Sequence, residues 1–546
     1  MTPSNQAPGT WTAAARFIKK HWIWALVLAT TLVYAPLAGN TGDEKARQRS
    51  LDTLAEIMGL VQKNTVEPPT SKQITHASIQ GMLHSLDPHS NYMDENEYRM
   101  LRENQRGSFF GIGSIIQQQP DGIVIVSTVR GGPSEKAGIR AGDYIREIDG
   151  KNTEGWTSSQ AVEKLRGEKG TIVEVAIQRI GFPDLLRFSL TRAEIPSNSV
   201  TFAFMLTPTT GFVAIKDFGE TTSTEFEKAV QTLKQQGMKE LVLDLRDNGG
   251  GILDAALGIS QQLLGPDELI VSQKGRGGRD AGQTRTPKGA ALDPFPLVIL
   301  INRGSASASE IVTGAVQDHD RGLVVGTTSW GKGLVQSVIT IGRSRGLLLT
   351  SARYYTPSGR SIQRDYQHGL DDYFLPEEDK EAATPKGPEY RTDLQRVVYG
   401  GGGITPDYYV SQAQLSTFAA TLRGRYAAFF KFAIQEKDRA KAKVKPSQEA
   451  DEAEMARFKS FLEAQKIPFT EAEWSDPDNQ THLRRQVAYE LQNVLLGTEA
   501  GFRYLCAGDP QVKKALEVMP EADALLKKKL LSLQAKGSPK TVAVKR

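Results

Sequence analysis

The sequence predicts a multidomain α/β protein, and three observations lead to this fold class. First, strands and helices alternate between residues 196 and 410, and several of these strands are uninterrupted apolar runs, such as LVILIN and LVVG. Such runs are typical of strands buried on both faces of a largely parallel sheet. Second, residues 107–195 contain short strands separated by glycines, which indicates a β-rich α+β domain. Third, the chain on either side of these two regions is rich in helix-forming residues.

Length and composition fit this class. The 546 residues correspond to three to four domains, at roughly 150 residues per domain. Hydrophobic residues make up 39% and charged residues 24%, which argues against wholesale disorder and against a polytopic membrane protein. The net charge of +4 is too small to indicate nucleic-acid binding. The single cysteine, Cys506, excludes an intramolecular disulfide, and no HExxH pair is present, so we expect neither a metal nor another cofactor.

Changes in residue content predict five parts of the chain. Residues 1–40 form an export signal or membrane anchor, because Arg16, Lys19 and Lys20 precede an uncharged stretch that ends in small residues. We expect a helical region at 41–106, the β-rich domain at 107–195, the α/β core at 196–410 and a second helical region at 411–546. The uncharged stretch is at the lower edge of what spans a bilayer, so an uncleaved anchor is also compatible with the sequence.

Within the predicted core, helices fall near Thr222–Gln235, Leu253–Leu264 and Ser307–Gln317, each between two apolar strands. The stretch Lys274–Arg285 (KGRGGRDAGQTR) is glycine-rich and basic, and we interpret it as a flexible, solvated loop. This order of elements places the ends of several buried strands beside helix starts.

Three polar segments lie at those strand ends. They are DLRDNGGG (Asp244–Gly251), NRGSASASEIVTGAVQDHDR (Asn302–Arg321) and TTSWGKGLVQ (Thr327–Gln336). Ser307 and Glu310 have the spacing of a capping box, and capping is the commoner role of a serine at a helix start. Without further information, a structural cap and a catalytic serine are therefore both open.

Residues 107–195 resemble a PDZ domain, a module that binds peptide tails. The matching segments are FFGIGSII (Phe109–Ile116), GGPSEKAGIRAGDYIREIDG (Gly131–Gly150) and the helix after Trp156. In such a module, free backbone amides hold the terminal carboxylate, and the peptide adds as an extra strand to an open sheet edge. The resemblance places the peptide site at Phe110, Gly111, Ile112 and Gly113.

Together, these segments resemble the C-terminal processing (tail-specific) proteases, a group of serine endopeptidases in peptidase family S41 with a Ser–Lys pair and an embedded PDZ domain. The resemblance runs from about Ile74 to Asp407 and includes GMLHSLDPHSNYM, YYTPSGRSIQ and GGITPD. It implies a ClpP/crotonase-like β/α protease core with an inserted PDZ domain. Residue by residue, the nucleophile falls on Ser307, the general base on Lys332 and the residue that orients the lysine on Gln336.

The chemistry of these residue types agrees with those roles. A serine hydroxyl needs a base, and a lysine acts as one only if burial lowers its pKa from about 10.4 toward neutrality. Four residues of extended strand separate Lys332 and Gln336 by about 13 Å, so their contact needs a bend, which Gly331 and Gly333 permit. Because Ser307 starts a helix, we expect an oxyanion hole formed by the Ala308 amide and an amide of Gly249 or Gly250.

Other candidates for these roles fit less well. His319, with Asp318 or Asp320 as its partner, lies twelve helical residues beyond Ser307, or about 18 Å along the axis, which is too far for a base. Asp318 is about 16 Å away by the same rise per residue, and we expect it to be a structural charge near an arginine. Ser305 suits a turn, and Ser309 lies in the first helical turn and faces elsewhere.

The resemblance therefore implies a serine endopeptidase that recognises the C-terminal tails of exported proteins through its PDZ domain and cleaves by an acyl-enzyme mechanism. We expect it outside the cytoplasm, in a bacterial periplasm or at the outer face of the inner membrane. The expected partners are proteins or peptides with free, apolar C-termini. An activator or adaptor protein, membrane contact through the N-terminal segment, and an oligomer are also compatible with the sequence.

Two alternatives belong to other classes of protein. A catalytically inert, tail-binding PDZ scaffold or regulator would be expected to lose the serine or the lysine, whereas this chain keeps both. Another acyl-transfer enzyme, such as an esterase of the α/β-hydrolase type, would carry a GxSxG motif, which is absent around these serines.

Overall fold

In this computed structural model, the structure describes residues 41–290, 292–367, 373–374, 387–440 and 448–535. The predicted export segment, residues 1–40, lies outside them. The chain divides into two compact units, the first ending at Leu86 and the second beginning at Asp87. The described residues of the first unit form two helices, α1 (Thr41–Asn64) and α2 (Ser71–His84). None of the described helices is long and apolar enough to cross a membrane.

The second unit opens with a short strand and a helix, followed by the glycine-punctuated strands that the sequence predicted. These elements are β1 (Asn91–Met93), α3 (Glu95–Arg106), β2 (Ser108–Gly111), β3 (Ser114–Gln119), β4 (Gly122–Thr128), α4 (Pro133–Lys136), β5 (Tyr144–Ile148), β6 (Lys151–Asn152), α5 (Ser158–Leu165), β7 (Ile172–Gln178), β8 (Leu186–Thr191) and β9 (Ala193–Pro196). The paired strands β2 and β9 bring the two ends of this segment together.

Six of these strands form one antiparallel sheet in the order β3-β4-β5-β7-β8, with β6 paired to β5. Its core is aliphatic and includes Ile123, Ile145 and Ile177, all fully buried, with α5 packed beside it through Ala161 and Leu165. Strand β3 lies at the edge of the sheet. It therefore offers the open edge that an added peptide strand requires.

The next part of the chain alternates strands and helices. Its elements are β10 (Val200–Met205), β11 (Thr210–Ile215), α6 (Thr222–Gln235), β12 (Glu240–Asp244), α7 (Leu253–Leu263), β13 (Leu269–Lys274), a 3₁₀ turn (Arg276–Gly278), β14 (Asp280–Arg285), β15 (Leu297–Ile301), α8 (Ala308–Asp318), β16 (Leu323–Gly326), β17 (Leu334–Ile341), β18 (Arg345–Tyr355), β19 (Glu389–Arg391), β20 (Val397–Tyr399) and β21 (Tyr408–Tyr409). The three predicted helices are confirmed. The predicted loop at Lys274–Arg285 is wrong for Asp280–Arg285, which form the strand β14 and pair with β13.

The central sheet has the order β10-β11-β12-β15-β16-β21, and every pair except β10–β11 is parallel. Strands β11, β15 and β16 are buried at every residue, which confirms the interpretation of the apolar runs. Helices α6, α7 and α8 pack on one face of this sheet through Phe226, Ile259 and Val312, among others. Because β12 and β15 are parallel neighbours, the loops that follow them emerge at the same edge.

A second sheet has the order β1-β18-β13-β14, and β17 also pairs with β18. The β17–β18 hairpin is regular except for an irregularity between Val335 and Gln336. Through β1, this sheet also fixes the chain that immediately precedes Asn91. The second sheet therefore brings three segments that are distant in sequence to the end of the central sheet. They are the chain before Asn91, β17 and β18.

The C-terminal part is helical, as predicted. It contains α9 (Thr417–Gly424), α10 (Ala428–Ala440), α11 (Glu452–Ala464), α12 (Glu471–Ser475), α13 (Pro477–Leu496), α14 (Thr498–Gly508), α15 (Pro510–Glu517) and α16 (Met519–Ala535). Helices α9 to α13 share an aromatic core that includes Phe429 and Phe458. Residues Cys506, Val512 and Met519 pack with Phe212 and Val298 of the central sheet. The last helices therefore cover the second face of that sheet, and the buried Cys506 is part of this contact.

Candidate active site

Ser307 lies at the start of α8, in the turn that follows β15. Its backbone has φ 55° and ψ −112°, a sparsely populated conformation for a residue with a side chain. Its amide donates to Glu310 Oε2 at 2.7 Å, which is one half of the predicted capping box. The amide of Glu310 donates to the Ser307 carbonyl oxygen at 2.9 Å. The predicted capping box is therefore present, and Ser307 at the helix start is partly exposed.

Lys332 lies just before β17, and its ammonium group is held by Gln336. The Nζ atom donates to Gln336 Oε1 at 2.7 Å. Lys332 itself is outside the strand, and the contact coincides with the irregularity at Val335 and Gln336 and with a left-handed Gly331 (φ 90°). The predicted bend is therefore present, and the glycines are accompanied by an irregularity in the pairing of β17 with β18. The predicted lysine and its predicted partner are in direct contact.

Burial dominates the electrostatics at Lys332. It lowers the pKa of Lys332 below its usual 10.5, and the charges of Glu310 and Asp87 oppose this shift. A lysine with a lowered pKa is more often neutral near physiological pH and can accept a proton.

Glu310 is a residue whose importance the sequence did not reveal. Its carboxylate is fully buried and accepts four hydrogen bonds, two at each oxygen. The donors are Ser329 Oγ (2.6 Å), Gly331 N (2.7 Å), Ser307 N (2.7 Å) and Lys332 N (2.9 Å). Burial raises the pKa of Glu310, and the four hydrogen bonds act in the opposite direction. One carboxylate therefore fixes the backbone of both predicted catalytic residues.

Tyr354, on β18, also contacts both Ser307 and Lys332. Its hydroxyl lies 2.7 Å from the carbonyl oxygen of Lys332 and 3.1 Å from that of Ser307, so its single proton is shared between two acceptors. Burial raises the pKa of Tyr354 well above 10, so the hydroxyl keeps that proton. The motif YYTPSGRSIQ contains this tyrosine, but nothing in its spacing identifies this contact.

The glycine loop after β12 packs directly against the serine turn. A Cβ atom on Gly250 would lie 2.8 Å from Ser307 Cβ and 2.9 Å from Ala308 N, and Gly250 has φ 97°. The Gly250 amide donates to Asn248 Oδ1 at 2.9 Å. The amides of Gly249 and Ala308 form no hydrogen bond within the described part of the chain. Of the two predicted glycines, Gly249 is thus the one with a free donor.

These residues meet in a single cleft of about 830 Å³. Its lining includes all six of the predicted catalytic and oxyanion residues: Gly249, Gly250, Ser307, Ala308, Lys332 and Gln336. The structure therefore brings together residues from the loops after β12, β15 and β16.

The other serines have structural hydrogen bonds. Ser305 Oγ donates to the carbonyl of Leu245 at 2.7 Å, and Ser309 Oγ donates to the carbonyl of Asn248 at 2.8 Å. Both residues are buried. Their hydrogen bonds stabilise the glycine loop, and neither serine lines the cleft.

The acidic residues near the end of α8 are also structural. Asp318 Oδ1 accepts from Arg360 at 2.7 Å, with both side chains buried, which confirms the expected arginine partner. Asp320 pairs with Arg396 at 2.5 Å.

His319 belongs to a separate charge cluster with Glu268 and Lys529, which are buried, and Asp393, which is exposed. Its Nδ1 faces Asp393 Oδ2 at 2.9 Å, and its Nε2 faces the carbonyl of Leu269 at 2.7 Å. Glu268, His319 and Asp393 have the geometry of a metal site, but the Lys529 ammonium contacts both carboxylates. A lysine therefore supplies the positive charge that a metal ion would bring there.

The predicted peptide loop leads from β2 into β3. The carbonyls of Phe110, Ile112 and Gly113 accept from Gly167, Ser134 and Val129, which pins the loop to the sheet. Gly113 has φ 71°, and Gly111 and Ile112 are buried. The amides of Ile112 and Gly113 form no hydrogen bond within the described residues.

Comparison with known proteins gives two family matches. The profile described as "Peptidase family S41" matches residues 209–371, and that described as "PDZ domain" matches residues 99–178. A carboxy-terminal-processing protease of Bartonella bacilliformis is 36% identical over 346 residues, covering 63% of this chain and 79% of that protein. The carboxy-terminal processing protease CtpB of Bacillus subtilis is 34% identical over 326 residues, covering 59% of this chain and 67% of that protein.

Among solved structures, the chain is similar to a photosystem II D1 C-terminal processing protease. The identity is 29%, with 64% of this chain and 84% of that chain covered and a TM-score of 0.35.

Proposed function

The chain belongs to the carboxy-terminal-processing proteases of peptidase family S41, and from this premise we propose that it cleaves peptide bonds with Ser307 and Lys332. It is a serine endopeptidase that acts on C-terminal tails. The observation that carries the proposed pair is the contact between Lys332 Nζ and Gln336 at 2.7 Å, in a cleft that Ser307 also lines.

In the proposed reaction, Ser307 Oγ attacks the scissile carbonyl carbon while its proton passes to the neutral amine of Lys332. The resulting ammonium then gives this proton to the leaving amine, and the C–N bond breaks. An ester between Ser307 and the N-terminal part of the substrate remains. Lys332 next takes a proton from water as the water oxygen attacks the ester carbon. The bond between this carbon and Ser307 Oγ then breaks, the new carboxylic acid leaves, and Lys332 returns the proton to Ser307 Oγ. Lysine suits this role because burial lowers its pKa.

We assign the oxyanion hole to the amides of Ala308 and Gly249. Both residues line the cleft, and their amides have no hydrogen-bond acceptor within the described residues. Ala308 is the first residue of α8, so the positive end of the helix dipole also faces the developing oxyanion. Gly250 then has a steric role, since its lack of a side chain lets the glycine loop approach Ser307.

The PDZ domain provides the binding of a peptide or protein substrate. We propose that it captures a free, apolar C-terminus at Phe110–Gly113, with the terminal carboxylate on the amides of Ile112 and Gly113. Support comes from the lack of intrachain partners for these amides and from the edge position of β3.

We also propose the five-part division of the chain given above, with the protease core at 196–410 and the export or anchor segment at 1–40. The proposed location is the bacterial periplasm or the outer face of the inner membrane. An activator or adaptor protein, membrane contact through the anchor, and oligomer formation belong to the same proposal. The sequence of residues 1–40 supports the location.

The test is cleavage of an unstructured protein with an apolar C-terminus by the purified full-length chain, followed by mass spectrometry. Ser307→Ala and Lys332→Ala should each abolish cleavage while binding of the tail persists. Ser337→Ala, an exposed serine one residue after Gln336, is the control and should keep full turnover. Turnover by either of the first two variants would refute the assignment. Tail binding without cleavage by the wild type would instead favour the inert scaffold.

A further inference from the structure

The segment Asp87–Ser90, just before β1, forms a tight, buried turn beside the cleft. Asp87 Oδ1 accepts the amides of His89 and Ser90, each at 2.8 Å. Asp87 Oδ2 accepts from Ser90 Oγ at 2.6 Å. Asp87 and Ser90 are 6% and 1% exposed. The carboxylate therefore fixes the conformation of this turn, as in an Asx turn.

The turn presents one backbone carbonyl to the proposed active site. Gln336 Nε2 donates to the carbonyl oxygen of His89 at 2.6 Å. A glutamine amide has one donor end and one acceptor end, so fixing the donor on His89 aims the acceptor, Oε1, at Lys332 Nζ. The bond to Oε1 uses an N–H of Lys332 and leaves the lone pair of the neutral amine free for a proton.

The turn is also tied to the loop that carries Lys332. The Tyr373 hydroxyl is hydrogen-bonded to His89 Nε2 at 2.6 Å and accepts from Trp330 Nε1 at 3.2 Å. Burial, together with the charge of Lys332, lowers the pKa of His89 to about 4, so the ring is neutral near physiological pH. On the opposite side, Ser90 Oγ accepts the amide of Thr350 on β18 at 3.2 Å.

We propose that Asp87 and His89 are positioning residues of the Ser–Lys pair: their turn holds Gln336, and Gln336 aims Lys332. This inference rests on the proposed function. It gives a role to part of the upstream motif GMLHSLDPHSNYM, in which His89 otherwise suits simple packing.

The carboxylate of Asp87 has an electrostatic consequence as well. Titratable groups face Lys332 from three elements: Glu310 on α8, Asp87 and His89 in the turn, and Tyr354 on β18. Asp87 and Glu310 stabilise the ammonium form of Lys332. The variant Asp87→Asn removes one of these charges, while its side-chain oxygen still accepts the two amides of the turn. It should therefore lower the pKa of Lys332 without opening the turn.

The experiment measures kcat and KM against pH for the full-length protein and for Asp87→Asn and Asp87→Ala. Asp94→Asn is the matched control, because Asp94 accepts the amides of residues 96 and 97 in the same way at the start of α3. We expect Asp87→Asn to move the acidic limb of kcat/KM to lower pH, since that limb reports the proton on the base. Asp87→Ala should lower the plateau kcat by at least about tenfold with little change in KM, because a base displaced by 1 Å costs roughly a hundredfold.

The control should change neither quantity. A folded Asp87→Ala enzyme with the wild-type plateau kcat would overturn the proposal, and so would an unshifted acidic limb in Asp87→Asn. If Asp87→Ala fails to fold, the position of the acidic limb of kcat/KM in Asp87→Asn is the measurement that tests the proposal. If the wild type shows no turnover that depends on Ser307, the proposed function fails instead, so the two failures are distinguishable.

Discussion

The carboxylate of Glu310 accepts the backbone amide of Lys332 at 2.9 Å, although 22 residues separate them along the chain. The same oxygen accepts the amide of Ser307 at 2.7 Å. Nucleophile and base therefore share one buried anchor, and their relative position depends on its four hydrogen bonds.

The variant Glu310→Gln tests this anchor. An amide has one acceptor end, so at least one of the three backbone amides loses its partner, at a cost of about 1–3 kcal/mol in the free energy of unfolding. We expect that loss in urea unfolding, together with a lower kcat. Glu454→Gln is the control, because Glu454 makes the same contact to the residue three positions earlier, Asp451, but at an exposed helix start. Equal stability of Glu310→Gln and the wild type would contradict the anchor.

The close approach of the glycine loop to the serine turn gives a second prediction. In Gly250→Ala, the new methyl group would meet Ala306 O and Ser307 Cβ at 2.8 Å, in a left-handed backbone conformation. Overpacking of this kind costs about 1–3 kcal/mol, and displacement of Ser307 should remove most activity. Gly249→Ala is the neighbouring control: its Cβ meets no atom within 4 Å, so we expect wild-type unfolding. Destabilisation of both variants to the same extent would show that the contact is not specific.

The lowered pKa of Lys332 predicts how kcat/KM depends on pH. Burial lowers its pKa below 10.5, and the neutral amine is the active form, so kcat/KM should rise with pH through that lowered pKa. Lys332→Arg should be inactive across the accessible range, because a guanidinium keeps its proton up to about pH 12 or higher. Rate profiles of both proteins on one peptide substrate provide the measurement. Activity in Lys332→Arg would rule out a proton-accepting role for this side chain.

The charge cluster around Lys529, on α16, predicts that the stability of the folded protein depends on this lysine. Lys529 is 1% exposed and pairs with the buried Glu268 as well as with Asp393 Oδ2, which lies 2.9 Å away. Its removal leaves two carboxylates underpaired, and losses of about 3–5 kcal/mol are usual for a broken buried pair. Lys527→Ala, on the exposed side of the same helix, should leave the unfolding midpoint nearly unchanged. A similarly small effect of Lys529→Ala would show that the cluster adds little to stability.

His319 makes the same cluster sensitive to pH. Burial alone would lower the pKa of His319, but the hydrogen bond to Asp393 and the charge of Glu268 raise it above 6.5. Both ring nitrogens face acceptors, so the folded state favours the imidazolium. Its stabilisation is complete below about pH 6.5 and is lost as the pH rises through the raised pKa. Urea unfolding between about pH 6 and pH 9 should show this loss in the wild type and not in His319→Gln.

Much of this architecture is readable from the sequence. Apolar runs such as Leu297–Ile301 identify the buried parallel strands, because burial on both faces leaves no polar alternation. The family motifs point to Ser307, Lys332 and Gln336. The strand Asp280–Arg285 was missed because it is almost entirely exposed and carries no apolar alternation.

The contacts around the site were harder to predict. Glu310 has the spacing of an ordinary helix cap to Ser307, and its bonds to Ser329, Gly331 and Lys332 appear only in the folded chain. Tyr354 and His89 reach the site from β18 and from a turn more than two hundred residues before Ser307. Sequence periodicity describes local structure, whereas these contacts depend on how distant loops meet at one edge of a sheet.

The most direct test of the central claim is to trap the acyl-enzyme and identify the modified residue by peptide mapping. The full-length protein is treated with a serine-directed acylating inhibitor, beside Ser307→Ala and Lys332→Ala. We predict one adduct on the peptide that contains Ser307, no adduct in Ser307→Ala, and a much slower reaction in Lys332→Ala. An adduct on Ser305 or Ser309, or an undiminished rate without Lys332, would contradict the account.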